Sequence, residues 1–213
     1  MVFEKHSELE GQHAFLSPSQ YHWINDTEDE LRERYYNAQI TERGTMLHEY
    51  ARMAINLCRP QPRKKETVCM FINDAIGYKM ASEQPLFYSW SCFGTADAIA
   101  YRKNILRIHD LKTGKKEARF EQLRVYAALF CLEYQRIVRR LRQEGLSDID
   151  IAAKLDVTAK DLHFDPLQMD GIILRIYQFN DIREELADPE IIQALMNISV
   201  ADIEILRKVK AEG

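Results

Sequence analysis

Between Thr95 and Lys112 two alternating runs, TADAIAY and ILRIHDLK, stand three residues apart, and this pair most narrows what the chain can fold into. Side chains of a strand alternate between its two faces, so each run reads as one strand and the pair as a hairpin. With Lys103-Asn104 at the tip, Arg102 faces Ile105, Tyr101 faces Leu106 and Ile99 faces Ile108. That is an apolar ladder, and its next rung places Asp97 opposite Asp110. Facing β-carbons lie roughly 5 Å apart. Two carboxylates at that separation resist ionising together, so one keeps its proton or a cation sits between them. An all-oxygen site of this kind suits Mg²⁺ or Mn²⁺. Lys112, two residues past Asp110, emerges on the same face, where an ammonium can orient an attacking water and stabilise charge on a phosphate. A buried Asp–Lys ion pair with the second Asp in a turn is the alternative reading of the same spacing.

Helical patterns surround the hairpin. Residues 17–25 read as a helix start, with Ser17 or Ser19 as cap and Pro18 in the first turn. A charged helix is expected over 27–39, and a second opening at Thr41, with Leu47, Ala51, Ala54, Ile55 and Cys58 at helical spacing. Two prolines in RPQPRKK end it. A short helix over 67–80, strands over 86–93, 95–101 and 105–112, and a long helix over 117–143 follow. Residues 171–178 form the last clear strand, and 188–213 a C-terminal helical segment of one or two helices. These elements predict a single domain over 1–213, an α/β fold whose central mixed sheet is flanked by helices.

Helical spacing groups other residues on shared faces. Gly44 lies one turn before His48, so a close-packing glycine and an imidazole share a helix face; a lone helical histidine is also compatible with a purely structural role. Glu49 is expected in solvent. Gln122 and Tyr126 lie at i and i+4 on one stripe of the long helix.

RGTMLHE (43–49), GTAD (94–97), DLKTG (110–114) and QLRVY (122–126) occur in that order. Over about 43–130, with SPSQYHW upstream, they resemble the successive motifs of RecB-like exonucleases, a branch of the PD-(D/E)XK nuclease superfamily. The resemblance implies a restriction-endonuclease-like core. It implies His48, Asp97, Asp110 and the Leu111 carbonyl as metal ligands, with Asp97, Asp110 and Lys112 catalytic. Gln122 and Tyr126 would support the site or contact DNA. The implied activity is Mg²⁺- or Mn²⁺-dependent exonuclease cleavage of linear DNA ends, in phage or bacterial recombination or end processing, with a single-strand annealing protein as partner. Many relatives carry an iron–sulfur cluster; its cysteine spacing does not occur here, so none is expected. Ala96 stands where the superfamily's nominal proline precedes the first aspartate, and the branch commonly has GxxD there.

A net charge of −4 does not single out a nucleic-acid binder. Basic residues cluster at 63–65, 112–116 and 136–142; each cluster serves equally as a solvated face. Residues 139–168 are a helical insertion or a segment like a helix-turn-helix, whose Asp148, Asp150, Asp156 and Asp161 suit phosphate poorly. A rival reading follows from that segment: a non-catalytic DNA-binding or adaptor protein on a nuclease-like scaffold. MVFEKHSELEGQH is too polar for a signal peptide, nothing approaches a membrane span, and the four cysteines are widely spaced. A cytoplasmic chain with reduced, mostly buried thiols is expected.

Overall fold

A computed structural model describes Ser7 and residues 14–212, so the reading of the first thirteen residues as no signal peptide lies almost wholly outside the described residues. The chain divides into two compact units, residues 1–45 and 46–213. In the first, Pro18–Asn25 form a 3-10 helix rather than an α-helix, without a side-chain cap. The Ser17 hydroxyl is taken up by Ser19 (2.8 Å), and the Ser17 carbonyl accepts from the Trp23 indole. A reciprocal pair starts α1 (Glu28–Asn56): the Thr27 amide donates to Glu30 and the Glu30 amide to the Thr27 hydroxyl.

The helix expected to open at Thr41 is instead a continuation of α1. The hydroxyls of Thr41 and Thr45 donate to the carbonyls of Asn37 and Thr41, four residues back, so neither is left to cap a new end.

In the second unit the remainder of α1 is followed by α2 (Thr67–Gly77), β1 (Ala81–Ser89), β2 (Cys92–Arg102) and β3 (Ile105–Leu111). Then come α3 (Glu121–Gln143), α4 (Asp148–Leu155), β4 (Gly171–Gln178), β5 (Asp181–Leu186) and α5 (Pro189–Glu212). The fold is α/β: a five-stranded sheet in the order β1-β2-β3-β4-β5, antiparallel except for the parallel β3–β4 pair. The β3–β4 crossover carries α3 and α4, as a parallel connection requires.

Helices cover both faces. Ala51, Ala54 and Ile55 of α1 and Phe71, Ile72 and Ala75 of α2 pack on one side, against Ala98, Leu111 and Tyr177. Leu123, Ala127 and Phe130 of α3, Ile151 of α4 and Ile192 and Met196 of α5 pack on the other, against Leu106, Ile108 and Leu174. Residues 139–168 thus contain the end of α3, then α4 with Ile151 and Ala152 buried, then two three-residue 3-10 turns.

Other elements also differ from expectation. LFYSWSCF is not one strand: it straddles a turn at Trp90-Ser91, with β1 before it and β2 after it. Pro85 is compatible with β1 because β1 is an edge strand. On its outer edge the Phe87 amide donates to Glu133, and Arg136 donates to the carbonyls of Phe87 and Tyr88. The helix expected from 117 begins at Glu121, because Gln178 holds the preceding backbone in another shape. Its Oε1 accepts from the Ala118 amide (2.9 Å), and its Nε2 donates to the Gly114 (2.9 Å) and Lys116 (2.7 Å) carbonyls. Finally, DIREEL forms a fifth strand. Phe179 and Asn180, both at positive φ (55° and 56°), make the two-residue turn that leads into it.

Candidate metal centre

The β2–β3 pairing is the expected one, Arg102↔Ile105 through Ala98↔His109, with Lys103 and Asn104 at φ 52° and 58° in the turn. Asp97 and Asp110 follow directly on the last pair. Asp97 Oδ2 accepts the Leu111 amide at 2.8 Å, fixing its carboxylate between the strands. That bond uses the N–H of Leu111, whose carbonyl was the expected ligand.

Glu83 was not anticipated. The β1–β2 register pairs Ser82 with Ala98 and Gln84 with Ala96, which puts Glu83 across from Asp97. Glu83 has a left-handed φ of 48°, a conformation that costs a non-glycine residue about 1 kcal/mol or more. The alternation of β2 breaks at the same place. Ala96 packs on the α3 side and Ala98, two residues on, packs on the α1–α2 side. This kink turns the Asp97 rung out of the regular pleat.

His48 of α1 completes the group. Its Nδ1 lies 3.5 Å from Asp97 Oδ2 and 3.7 Å from Glu83 Oε1. Ligand atoms of His48, Glu83 and Asp97 all fall within 4.8 Å of one another. Asp110 is not part of that trio; it sits deeper, its side chain 3% exposed against 14% for Asp97 and 32% for Glu83. The Lys112 ammonium lies 3.1 Å from Asp110 Oδ1 and donates to Gln122 Oε1 at 3.1 Å. Gln122 Nε2 then donates to the Tyr126 hydroxyl at 3.0 Å. His48, Asp97, Asp110, Lys112, Gln122 and Tyr126 therefore come together, with Glu83 added. Glu49, one residue from His48, is exposed and paired with Arg52.

Two carboxyls of the group are raised. Burial, the neighbouring Asp110 carboxylate and Glu83 push the Asp97 carboxyl up to about 6, against the pull of His48 and the Leu111 amide. Burial also raises Asp110 above the usual carboxylate range, although Lys112 pulls the other way. Asp110 Oδ2 is buried with no hydrogen-bond partner. A buried, unpaired carboxylate oxygen is costly and calls for a cation or a proton. The trio of His48, Glu83 and Asp97 offers one imidazole and two carboxylates, a donor set that could hold a divalent cation beside Asp110.

A pH dependence follows. A carboxyl raised in the folded state binds its proton more tightly there than in the unfolded chain. Its contribution is therefore present at low pH and lost as pH rises toward about 6. The roughly two-unit shift corresponds to about 3 kcal/mol. Metal-free protein should lose stability between pH 4 and 6, and Asp97→Asn should flatten that slope. Urea titrations across this range with EDTA would measure it, and an unchanged slope in the variant would contradict the assignment.

Gly94 has a packing role. A β-carbon there would lie 2.8 Å from Tyr126 Cε1, inside any real contact distance. Gly94→Ala should force the ring aside, strain its bond to Gln122 and cost about 1–2 kcal/mol. Tyr126→Leu should recover most of that loss in thermal denaturation; equal losses in single and double variants would refute the contact.

No family model matches the chain, and neither does any curated protein or solved structure. Among the described residues no helix is long and apolar enough to cross a membrane.

Proposed function

We propose that this chain is a metal-dependent deoxyribonuclease that hydrolyses phosphodiester bonds, acting from linear DNA ends in cytoplasmic recombination or end processing. The observation that carries the reading is the buried Asp110 Oδ2 without a partner, beside the trio of His48, Glu83 and Asp97. His48, Glu83, Asp97 and Asp110 would hold Mg²⁺ or Mn²⁺. When bound, such an ion supplies a Lewis acid for the phosphate and a water of lowered pKa for attack.

The chain's own groups do the rest. Asp110 and Gln122 each accept from the Lys112 ammonium, which leaves its third N–H for a phosphate oxygen. Tyr126, through Gln122, fixes the amide so that its oxygen faces the lysine. The Leu111 amide holds Asp97 in place. At the β1–β2 turn the exposed rings of Trp90 and Phe93 offer surfaces on which unpaired bases can stack, which favours a polynucleotide over a small phosphodiester. The rival, a non-catalytic DNA-binding adaptor, would keep the same fold but leave this charge arrangement without use.

The deciding experiment incubates the protein with end-labelled linear DNA, circular DNA and RNA, in Mg²⁺, in Mn²⁺ and in EDTA, beside Asp110→Ala. Loss of linear DNA only, dependent on metal and on Asp110, is expected. DNA binding without cleavage in either metal would establish the adaptor instead, and cleavage of RNA alone would move the substrate class.

A further inference from the structure

Helix α5 buries Ile192, Met196 and Ile203 against the core, yet it carries a second apolar stripe that is exposed among the described residues. Ile191, Ile198 and Ile205 recur at seven-residue intervals and are 44%, 55% and 57% exposed. Leu206 and Val209 extend the stripe. A seven-residue apolar repeat is the pattern of a helix that packs lengthwise on another helix. Five such side chains expose on the order of 100 Å² apiece, together on the order of 500 Å². This is in the upper part of the range for a patch on a monomer and more than half of the roughly 800 Å² a stable interface takes from each partner.

The stripe also indicates which partner. Ile191 and Ile205 stand seven residues to either side of Ile198, so the pattern is the same read in either direction. A two-fold axis at Ile198 would set that residue against itself and Ile191 against Ile205 of the other copy, the self-complementary arrangement a two-fold requires. Charge runs the same way. The start of α5 carries Asp188 and Glu190, while its end carries Arg207, Lys208 and Lys210. Antiparallel packing would place Asp188 across from Lys208 and Glu190 beside Arg207, and would oppose the two helix dipoles. Parallel packing would stack like on like. Asp202 is the one acidic residue on the stripe, and it would lie across from the small Ala194, with room to reach water.

We propose that α5 is the contact surface for a second copy of this chain, packed antiparallel across a two-fold axis at Ile198. This stands apart from the chemistry of the metal centre.

Sedimentation of the full chain over about 1–100 µM tests it. A mass near twice 25.0 kDa is expected at the upper end. Ile198→Glu should raise the dissociation constant at least about 100-fold while leaving the circular dichroism unchanged. Orientation is read by disulfide formation in a Cys58→Ser background, which removes the exposed native thiol. Ile198→Cys should cross-link to itself, Ile191→Cys should not, and a mixture of Ile191→Cys with Ile205→Cys should cross-link. A chain that stays monomeric throughout overturns the proposal. So does a dimer indifferent to Ile198→Glu, or one in which Ile191→Cys cross-links to itself.

Discussion

Asp110→Asn is expected to cut DNA at least about 10³-fold more slowly, equivalent to about 4 kcal/mol of transition-state stabilisation, while melting at a higher temperature than the native chain at pH 8 without metal. The two effects come from one atom. Asp110 Oδ2 is buried and unpartnered, and burial outweighs Lys112 in setting its proton affinity, so the ionised form burdens the folded state. An amide has the same shape, keeps an oxygen for the Lys112 ammonium, and sheds that charge. Added Mn²⁺ should reverse the order, because only the native carboxylate gains from the ion. Thermal melts with EDTA and with Mn²⁺, run beside the cleavage assay, give both readings. This experiment also separates the two readings of the Asp–Lys spacing. A simple buried ion pair would make the amide variant less stable in EDTA, because the lysine would lose its counter-charge.

Gln178→Ala should cost about 2–4 kcal/mol, the largest single loss expected outside the apolar core. Gln178 is 4% exposed, and its one amide group satisfies three backbone groups between Gly114 and Ala118. Removing it strands all three and leaves a void. Arg183, which donates to the Ala118 carbonyl and to Glu117, cannot replace those bonds. The segment runs from Lys112 to the start of α3, where Gln122 receives the lysine, so cleavage should fall as well. Urea denaturation gives the stability, and faster hydrogen exchange at the Ala118 amide locates the damage. A loss below about 0.5 kcal/mol, or unchanged exchange at Ala118, would show that the segment holds its own shape.

How much was legible follows from where each interaction is encoded. The β2–β3 hairpin is local: its turn and its alternation occupy eighteen consecutive residues, and the register placed Asp97 and Asp110 on adjacent strands with Lys112 close by. Gln122 and Tyr126 were paired by helical spacing and are bonded to each other. His48 reaches the centre from α1 through tertiary packing, which its own helix could not specify; only the motif resemblance singled it out. Glu83 was missed because the first strand was started at Leu86, on the apolar run. The signal existed: with Phe87 set against Phe93, the same arithmetic used for the second hairpin brings Glu83 opposite Asp97. What no pattern revealed was the left-handed backbone at Glu83, because few residues other than glycine adopt it. The fifth strand escaped notice because DIREEL is mostly charged, as befits an edge strand with one face in water. The late start of α3 was hidden for another reason: the residue that prevents it, Gln178, lies about sixty positions downstream.

The bulge in β1 between Phe87 and Ser89 bears on how this chain can change length over generations. It lies between the Trp90-Ser91 turn and the Glu83–Asp97 rung, where the strand already absorbs a residue that its partner does not match. Codons gained or lost at the turn can be taken up there, and the two carboxylates stay level. Below the bulge there is no such slack: deleting one residue from 84–86 or from 93–96 would slide Glu83 one step along Asp97 and turn it to the other face. Indels among related chains should therefore accumulate on the turn side of Phe87, with the short ladder beneath held at constant length.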